Sequence, residues 1–173
     1  MPQQVQREAQ SKMLTDPLLA LTDLVLRFSG QGNNVIDGVS LTVARGEVLC
    51  VVGESGCGKS VTAMALMGLL PPGATRISSG KLYVDETTLD LSRETLPPQM
   101  RGNRVAMIFQ EPMTSLNPAF TIGDQIGEAI ERHSNGARAH TRARALQMLQ
   151  RVGIASPEQR LSEYPHQLSG GMR

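Results

Sequence analysis

Residues 53–60 constrain this chain more than any other stretch. Gly53, Glu54, Ser55, Gly56, Cys57, Gly58, Lys59 and Ser60 match G-x-x-x-x-G-K-[ST] in full. The apolar run Val48-Leu49-Cys50-Val51-Val52 precedes them and a segment of helical character, 61–70, follows. That order predicts a strand, a glycine loop and a helix. Gly56 and Gly58 can adopt backbone angles closed to residues with a Cβ, so consecutive N–H groups can turn inward as an anion nest. The helix opening near Lys59 adds unpaired N–H groups and the positive end of its dipole. Lys59, one of three lysines, is predicted to reach the β- and γ-phosphates of a nucleoside triphosphate, and Ser60 to offer its hydroxyl to Mg²⁺. An ordinary glycine turn between strand and helix needs neither side chain.

Composition bounds the rest. The 173 residues suit one domain, 40% of them hydrophobic, but with no Trp, two Tyr and three Phe the core must be aliphatic and Met-rich. Seventeen basic and 16 acidic residues leave a net charge of +1, which gives no electrostatic footprint for nucleic acid. The strand places Cys50 as a buried thiol and Cys57 as an exposed one, poorly placed to pair, so a reducing compartment is expected. Residues 1–17 read as a loose polar tail with no apolar signal region, and no run approaches the ~20 apolar residues of a membrane span.

The alternation in 18–28 and 35–43, around a Gly/Asn-rich turn, predicts an antiparallel hairpin. Phe28 allows two readings, a core ring in a β layer or a face on which an adenine stacks. After the loop, Ala63, Leu66, Met67 and Leu70 fall at helical spacing, and Pro71-Pro72-Gly73 is predicted to stop that helix. Ser78-Ser79-Gly80 reads as a turn before a short strand, 82–84, and 92–102 as a surface connection. Val105-Ala106-Met107-Ile108-Phe109 is predicted to be a second buried strand, ending at Gln110. An amide is a weak ligand and no base, so Gln110 reads as a positioning residue, and Glu111 is not assigned as a general base. Ile122, Ile126 and Ile130 then predict a helix, Asn135-Gly136 a break, and Leu146, Leu149 and Val152 one face of another helix. Arg138, Arg142, Arg144 and Arg151 read as a solvated face, and His133 and His140 as surface residues without metal-ligand spacing.

The chain ends in Leu168-Ser169-Gly170-Gly171-Met172-Arg173. With the phosphate loop, Gln110 and Phe28, this ending resembles the ATP-binding subunit of ABC transporters, whose LSGG signature, Q-loop and adenine-stacking aromatic these residues match. Residues 110–118, Gln-Glu-Pro-Met-Thr-Ser-Leu-Asn-Pro, and Tyr164-Pro165-His166-Gln167 are similar to the importers of oligopeptides, dipeptides, glutathione and nickel. The resemblance covers residues 18–173.

It implies an α/β P-loop NTPase fold with a β layer at 18–46 and 80–90, a core at 47–72 and 104–110, a helical subdomain at 111–168 and the signature at 168–173. Gly53 to Ser60 and the backbone of Val61 would hold Mg-ATP, with Ser60 and Gln110 near the metal. Ser169, Gly170 and Gly171, at a helix N-terminus, would cap the γ-phosphate of ATP on a second subunit, identical or different. A membrane permease would dock nearby, fed indirectly by a solute-binding protein, placing the chain in the cytoplasm on the inner face of the cell membrane. The solute would be peptide-like or a related small molecule.

Four positions at three places depart from the family pattern. Val61 replaces a common Thr, Cys57 a common Ser, and Asp85-Glu86 an Asp-Gly turn that is therefore expected to be longer. The family's Asp-Glu strand and switch His find no counterpart here, so the chain is expected to be the N-terminal part of a longer protein, to hydrolyse ATP poorly and to be frayed at 169–173. The competing readings are a small P-loop phosphotransferase, which lacks the LSGG ending, and a nucleotide-binding module without catalysis.

Overall fold

The computed structural model describes residues 17–109, 115–133 and 138–173. The chain forms two compact units, Met1–Arg104 and Val105–Arg173. Gln110, Glu111, the Asn135-Gly136 break and residues 1–16 of the expected tail lie outside the described residues.

In the first unit, β1 (Leu19–Phe28), β2 (Ile36–Val43), β3 (Thr75–Val84) and β4 (Thr87–Asp90) form an antiparallel sheet in the order β2-β1-β3-β4, and α1 spans Lys59–Met67. The hairpin of β1 and β2 is present. Its apolar face is not strictly alternating: Leu21, Leu24 and Leu26 are all buried although the first two are three residues apart. An irregularity between Leu21 and Leu24 absorbs the extra residue, with Asp23 at φ 52° and its N–H donating to Ser40 Oγ at 2.9 Å. Such a bulge returns both leucines to one face. Ile36, Leu82, Val84, Leu89, Leu91, Leu96, Ala65 and Met67 complete this unit's buried apolar set among the described residues, each large side chain contributing about 1.5–3 kcal/mol.

β3 continues through Ser78-Ser79-Gly80, because pairing with β1 overrides their turn preference, and the register shifts there, stepping from Val25↔Ser79 to Leu26↔Ile77. The connection to β4 is not lengthened: Val84 pairs with Thr87, leaving a two-residue turn with Asp85 at φ 47° and Glu86 at φ 67°. Both take the left-handed conformation a tight hairpin demands, and Asp85 is tied to Arg104 at 3.0 Å. Within 92–102, read as surface, Leu96 is fully buried and its carbonyl accepts from Arg101 Nε and Nη2 at 3.0 and 2.9 Å.

α1 stops before the prolines. Gly68, at φ 62°, sends its N–H to Ala65 O, and Leu69 sends its own to Met64 O, which closes the helix with a left-handed glycine.

The largest difference concerns the two apolar runs. Residues 48–52 join no ladder, with Val48 86% and Val52 88% exposed, and Cys50 is exposed like Cys57. Apart from an isolated bridge at Val105, residues 105–109 likewise form no strand, and Ile108 is 97% exposed. An apolar run is buried as a strand only when neighbouring strands and a covering layer take its groups from water. Among the described residues no strand flanks either run.

The second unit holds α2 (Ile122–His133), α3 (Arg138–Arg151) and the short α4 (Pro157–Arg160). Thr121 and Asp124 cap α2 reciprocally: Asp124 N–H donates to Thr121 Oγ1 at 3.1 Å, and Thr121 N–H to Asp124 Oδ2 at 3.3 Å. Ile130, Ala145, Leu149 and Leu161 form the core, with Ile126, Leu146 and Ile154 packed on it. Val152 is not on that face and is exposed. Gly153, at φ 75°, reverses the chain so that Ile154 bonds back to Leu149 O and takes the apolar position instead. A Cβ on Gly123 would stand 2.7 Å from Leu161 O, which explains how closely α2 meets the α4 segment.

Candidate functional site

The phosphate loop is built from its lysine outward. Lys59 Nζ donates to Gly53 O and Glu54 O, each at 2.7 Å, and lies 3.4 Å from Cys57 Sγ. One ammonium therefore fastens the start of the loop to the first turn of α1. Cys57 N–H closes the bend on Glu54 O at 3.4 Å, with Gly56 inside it at φ 85°. Gly58 (φ 96°, ψ 0°) is the N-cap of α1. A Cβ there would come within 2.4 Å of Ile36 Cδ1 and 3.4 Å of Val35 O, so the loop rests directly on the start of β2.

Thr62 N–H, bonded to Gly58 O at 2.8 Å, is the first amide of α1 with a helical acceptor, and Thr62 Oγ1 bonds the same carbonyl at 3.0 Å. The amides of Lys59, Ser60 and Val61 precede that bond and are left as donors at the positive end of the helix. No acidic residue stands in the first turn of α1 to neutralise them. Ser60 is exposed, as are Glu54, Ser55 and Cys57. A Cβ-free cradle, three amides, one ammonium and one accessible hydroxyl fit a polyphosphate and its divalent cation by donor chemistry. Thr62 and Ile36 were not singled out from the sequence. A Thr four residues after the loop's last glycine is the only hint of the first, and contact with β2 cannot be read from a pattern.

Phe28 ends β1 opposite Thr75 and is half-buried. Gln110 lies outside the described residues, and no distance relates it to the loop. In the second unit Ser169, Gly170 and Gly171 are exposed. They are ordered by a single 3-10 turn, Gly170–Met172, rather than standing at an α-helix N-terminus or fraying. Arg173 N–H bonds Ser169 O at 3.2 Å, Arg173 Nη2 donates to His166 O at 3.2 Å, and Leu168 is buried. Among the described residues no cluster of His, Cys, Asp and Glu could hold a metal alone, and no helix is long and apolar enough to cross a membrane.

Comparison with known proteins gives the same direction. A probable peptide ABC transporter ATP-binding protein, y4tR, of Sinorhizobium fredii is 46% identical over 167 residues, 95% of this chain and 50% of the relative. The dipeptide transport ATP-binding protein DppD of Bacillus subtilis is 43% identical over 91% of this chain and 48% of its own length. The chain thus spans about half the length of these curated relatives. Among solved structures, the dimeric post-hydrolysis state of the ATP-binding cassette MJ0796 bound to ADP and Pi superposes with a TM-score of 0.70 at 22% identity, covering 89% of this chain and 64% of that one. The fold is therefore the α/β P-loop fold of ABC cassettes. Since the model of the ABC transporter family also matches residues 36–173, most of the chain and all of the phosphate loop, this protein belongs to the ABC transporter family.

Proposed function

We propose that this chain is the nucleotide-binding part of a subunit that couples ATP binding and hydrolysis to import of a peptide-like or related small solute through a separate membrane permease. The observation that carries the reading is the loop itself, in which the Lys59 ammonium stands 2.7 Å from two loop carbonyls beside three unpaired amides. Those carbonyls hold the lysine in place until phosphate oxygens compete for it. In this reading Lys59 neutralises the β- and γ-phosphates, and the amides from Gly53 to Val61 enclose them. Ser60 ligates Mg²⁺, with Gln110 as a second contact to the metal. Phe28 offers its ring to the adenine. Ser169, Gly170 and Gly171 face ATP held by a second subunit, so a dimer forms only around the γ-phosphate. The working location is the cytoplasmic face of the membrane, against the permease. Bound Mg-ATP supplies the free energy for transport. In this chain no carboxylate is assigned to orient water, so binding is expected to outlast turnover.

Binding is tested by thermal unfolding. Mg-ATP at a hundred times its dissociation constant stabilises by about 2.7 kcal/mol, which raises Tm. Lys59→Ala abolishes the rise, and Mg-ATP slows alkylation of Cys57 in the parent chain only. Equal shifts in both proteins, with unchanged alkylation, overturn the assignment.

A further inference from the structure

β3 has one open edge. β4 covers it only from Lys81 to Val84, and the last rung is Leu91 N–H to Gly80 O at 2.9 Å, after which the chain turns away at Ser92. Towards its N-terminus the pairing with β1 decides which groups are left over. Val35 N–H bonds Leu26 O, so Leu26 faces β2, and Ser29 N–H bonds Ala74 O. The intervening pair, Arg27 and Arg76, therefore turns its main chain inward between β1 and β3. Thr75 and Ile77 accordingly point their N–H and C=O groups out of the sheet edge, two residues apart.

Beside that edge lies a cleft of about 750 Å³, with Thr75, Arg76 and Ile77 on one side, Arg93 on another and an apolar wall of Leu70 and Leu91. Its charge is incompletely balanced. Arg76 stands directly opposite Arg27, a like-charge pair that is unfavourable by itself, and neither guanidinium has a hydrogen bond or ion pair among the described residues. Among the described residues the Arg93 side chain is held only by Asp90, at 3.6 Å, and it is 83% exposed. Glu94 is the one acidic side chain in the lining.

An inorganic anion would use the cations and the outward N–H groups, but leave the carbonyls of Thr75 and Ile77 and the apolar wall without a partner. An extended peptide uses all of them, because strand addition alternates donors and acceptors at this two-residue spacing. We propose that this cleft binds a short peptide as an added strand on β3, its free C-terminal carboxylate on Arg76 and Arg93 and an apolar side chain against the half-buried Leu70. The charge-assisted hydrogen bonds to carboxylate give selectivity for a free C-terminus. The site involves no residue of the phosphate loop and stands apart from the function proposed above.

Trialanine, trialanine C-terminal amide and inorganic phosphate, each titrated into the ¹⁵N-labelled chain without nucleotide, test it. Trialanine is expected to shift the Thr75 and Ile77 amide resonances, with affinity about tenfold weaker for the C-terminal amide and for each of Arg76→Gln and Arg93→Gln. Both substitutions are at exposed or rim positions, and unchanged dispersion elsewhere in the spectrum verifies that each folds. Lys59→Ala retains the binding, which separates this site from the nucleotide loop. Absence of shifts at Thr75 and Ile77, equal affinity for the amide, or the same shifts with phosphate alone would overturn the proposal.

Discussion

At Gly58 two independent restraints meet. Its φ of 96° excludes an ordinary side chain on conformational grounds, and Ile36 Cδ1 excludes one on steric grounds, 2.4 Å from where a Cβ would sit. Gly58→Ala is expected to destabilise the first unit by about 2 kcal/mol or more, the left-handed backbone accounting for about 1–2 of it. The remainder comes from displacing Ile36, which is 3% exposed. Trimming that side chain separates the two terms: Ile36→Val should cost less in the Gly58→Ala background than in the parent, as a urea-unfolding double-mutant cycle reads directly. Strict additivity would show that Ile36 yields without strain. The loop is legible in the sequence because each of its residue types has a narrow use, two glycines for backbone angles, one lysine and one serine for chemistry. What the pattern could not convey is the wall behind it, since Ile36 is 22 residues upstream and looks like any strand isoleucine.

Elements were legible where their own sequence decides them and illegible where partners do. The hairpin of β1 and β2 and the isoleucine face of α2 follow from periodicity, whereas Val152 misled because Gly153 ends the regular spacing that the pattern extrapolates. The β3–β4 turn is the clearest case of tertiary demand overriding local preference. Glu86 holds φ 67° without a glycine, and a residue with a Cβ is strained there by about 1 kcal/mol. Glu86→Gly is therefore expected to stabilise the sheet by up to about 1 kcal/mol, less the extra freedom glycine gives the unfolded chain. Thermal unfolding checks it, and a lower Tm would show that the turn is relaxed as it stands. Just beyond β4, Ser92 donates its hydroxyl to Asp90 Oδ1 at 2.6 Å and its N–H at 3.0 Å. Those bonds, with Arg93 and Lys81 nearby, hold the Asp90 carboxyl below the usual carboxylate range. A depressed folded-state pKa contributes stability that is present above the unfolded-state value and lost as pH falls through the folded one. Ser92→Ala should move the Asp90 titration upward in a carboxyl-carbon NMR experiment and flatten that acid-side loss. An unmoved titration would assign the effect to the cations instead.

At the scale of the whole molecule, each of the two compact units carries an exposed apolar run. Residues 48–52 in the first and 105–109 in the second have the composition of central strands in an α/β core, which are covered on both faces. Here Val48 and Val52 are 86% and 88% exposed and Ile108 is 97% exposed. A side chain in that position forgoes the roughly 1.5–3 kcal/mol that burial supplies, and contiguous runs of this kind favour self-association. Two consequences can be measured on the same sample. The parent chain is expected to bind a hydrophobic dye such as ANS and to scatter light increasingly with concentration. Val48→Thr and Ile108→Thr, which keep β-branching and replace a methyl or ethyl group with hydroxyl, should lower both signals. Because water already surrounds these side chains, neither substitution should change unfolding free energy by more than about 0.5 kcal/mol, the range for surface positions. A loss nearer the cost of placing a hydroxyl in a core, about 1–3 kcal/mol, would mean that the runs are packed in solution, against another copy of the chain or within it.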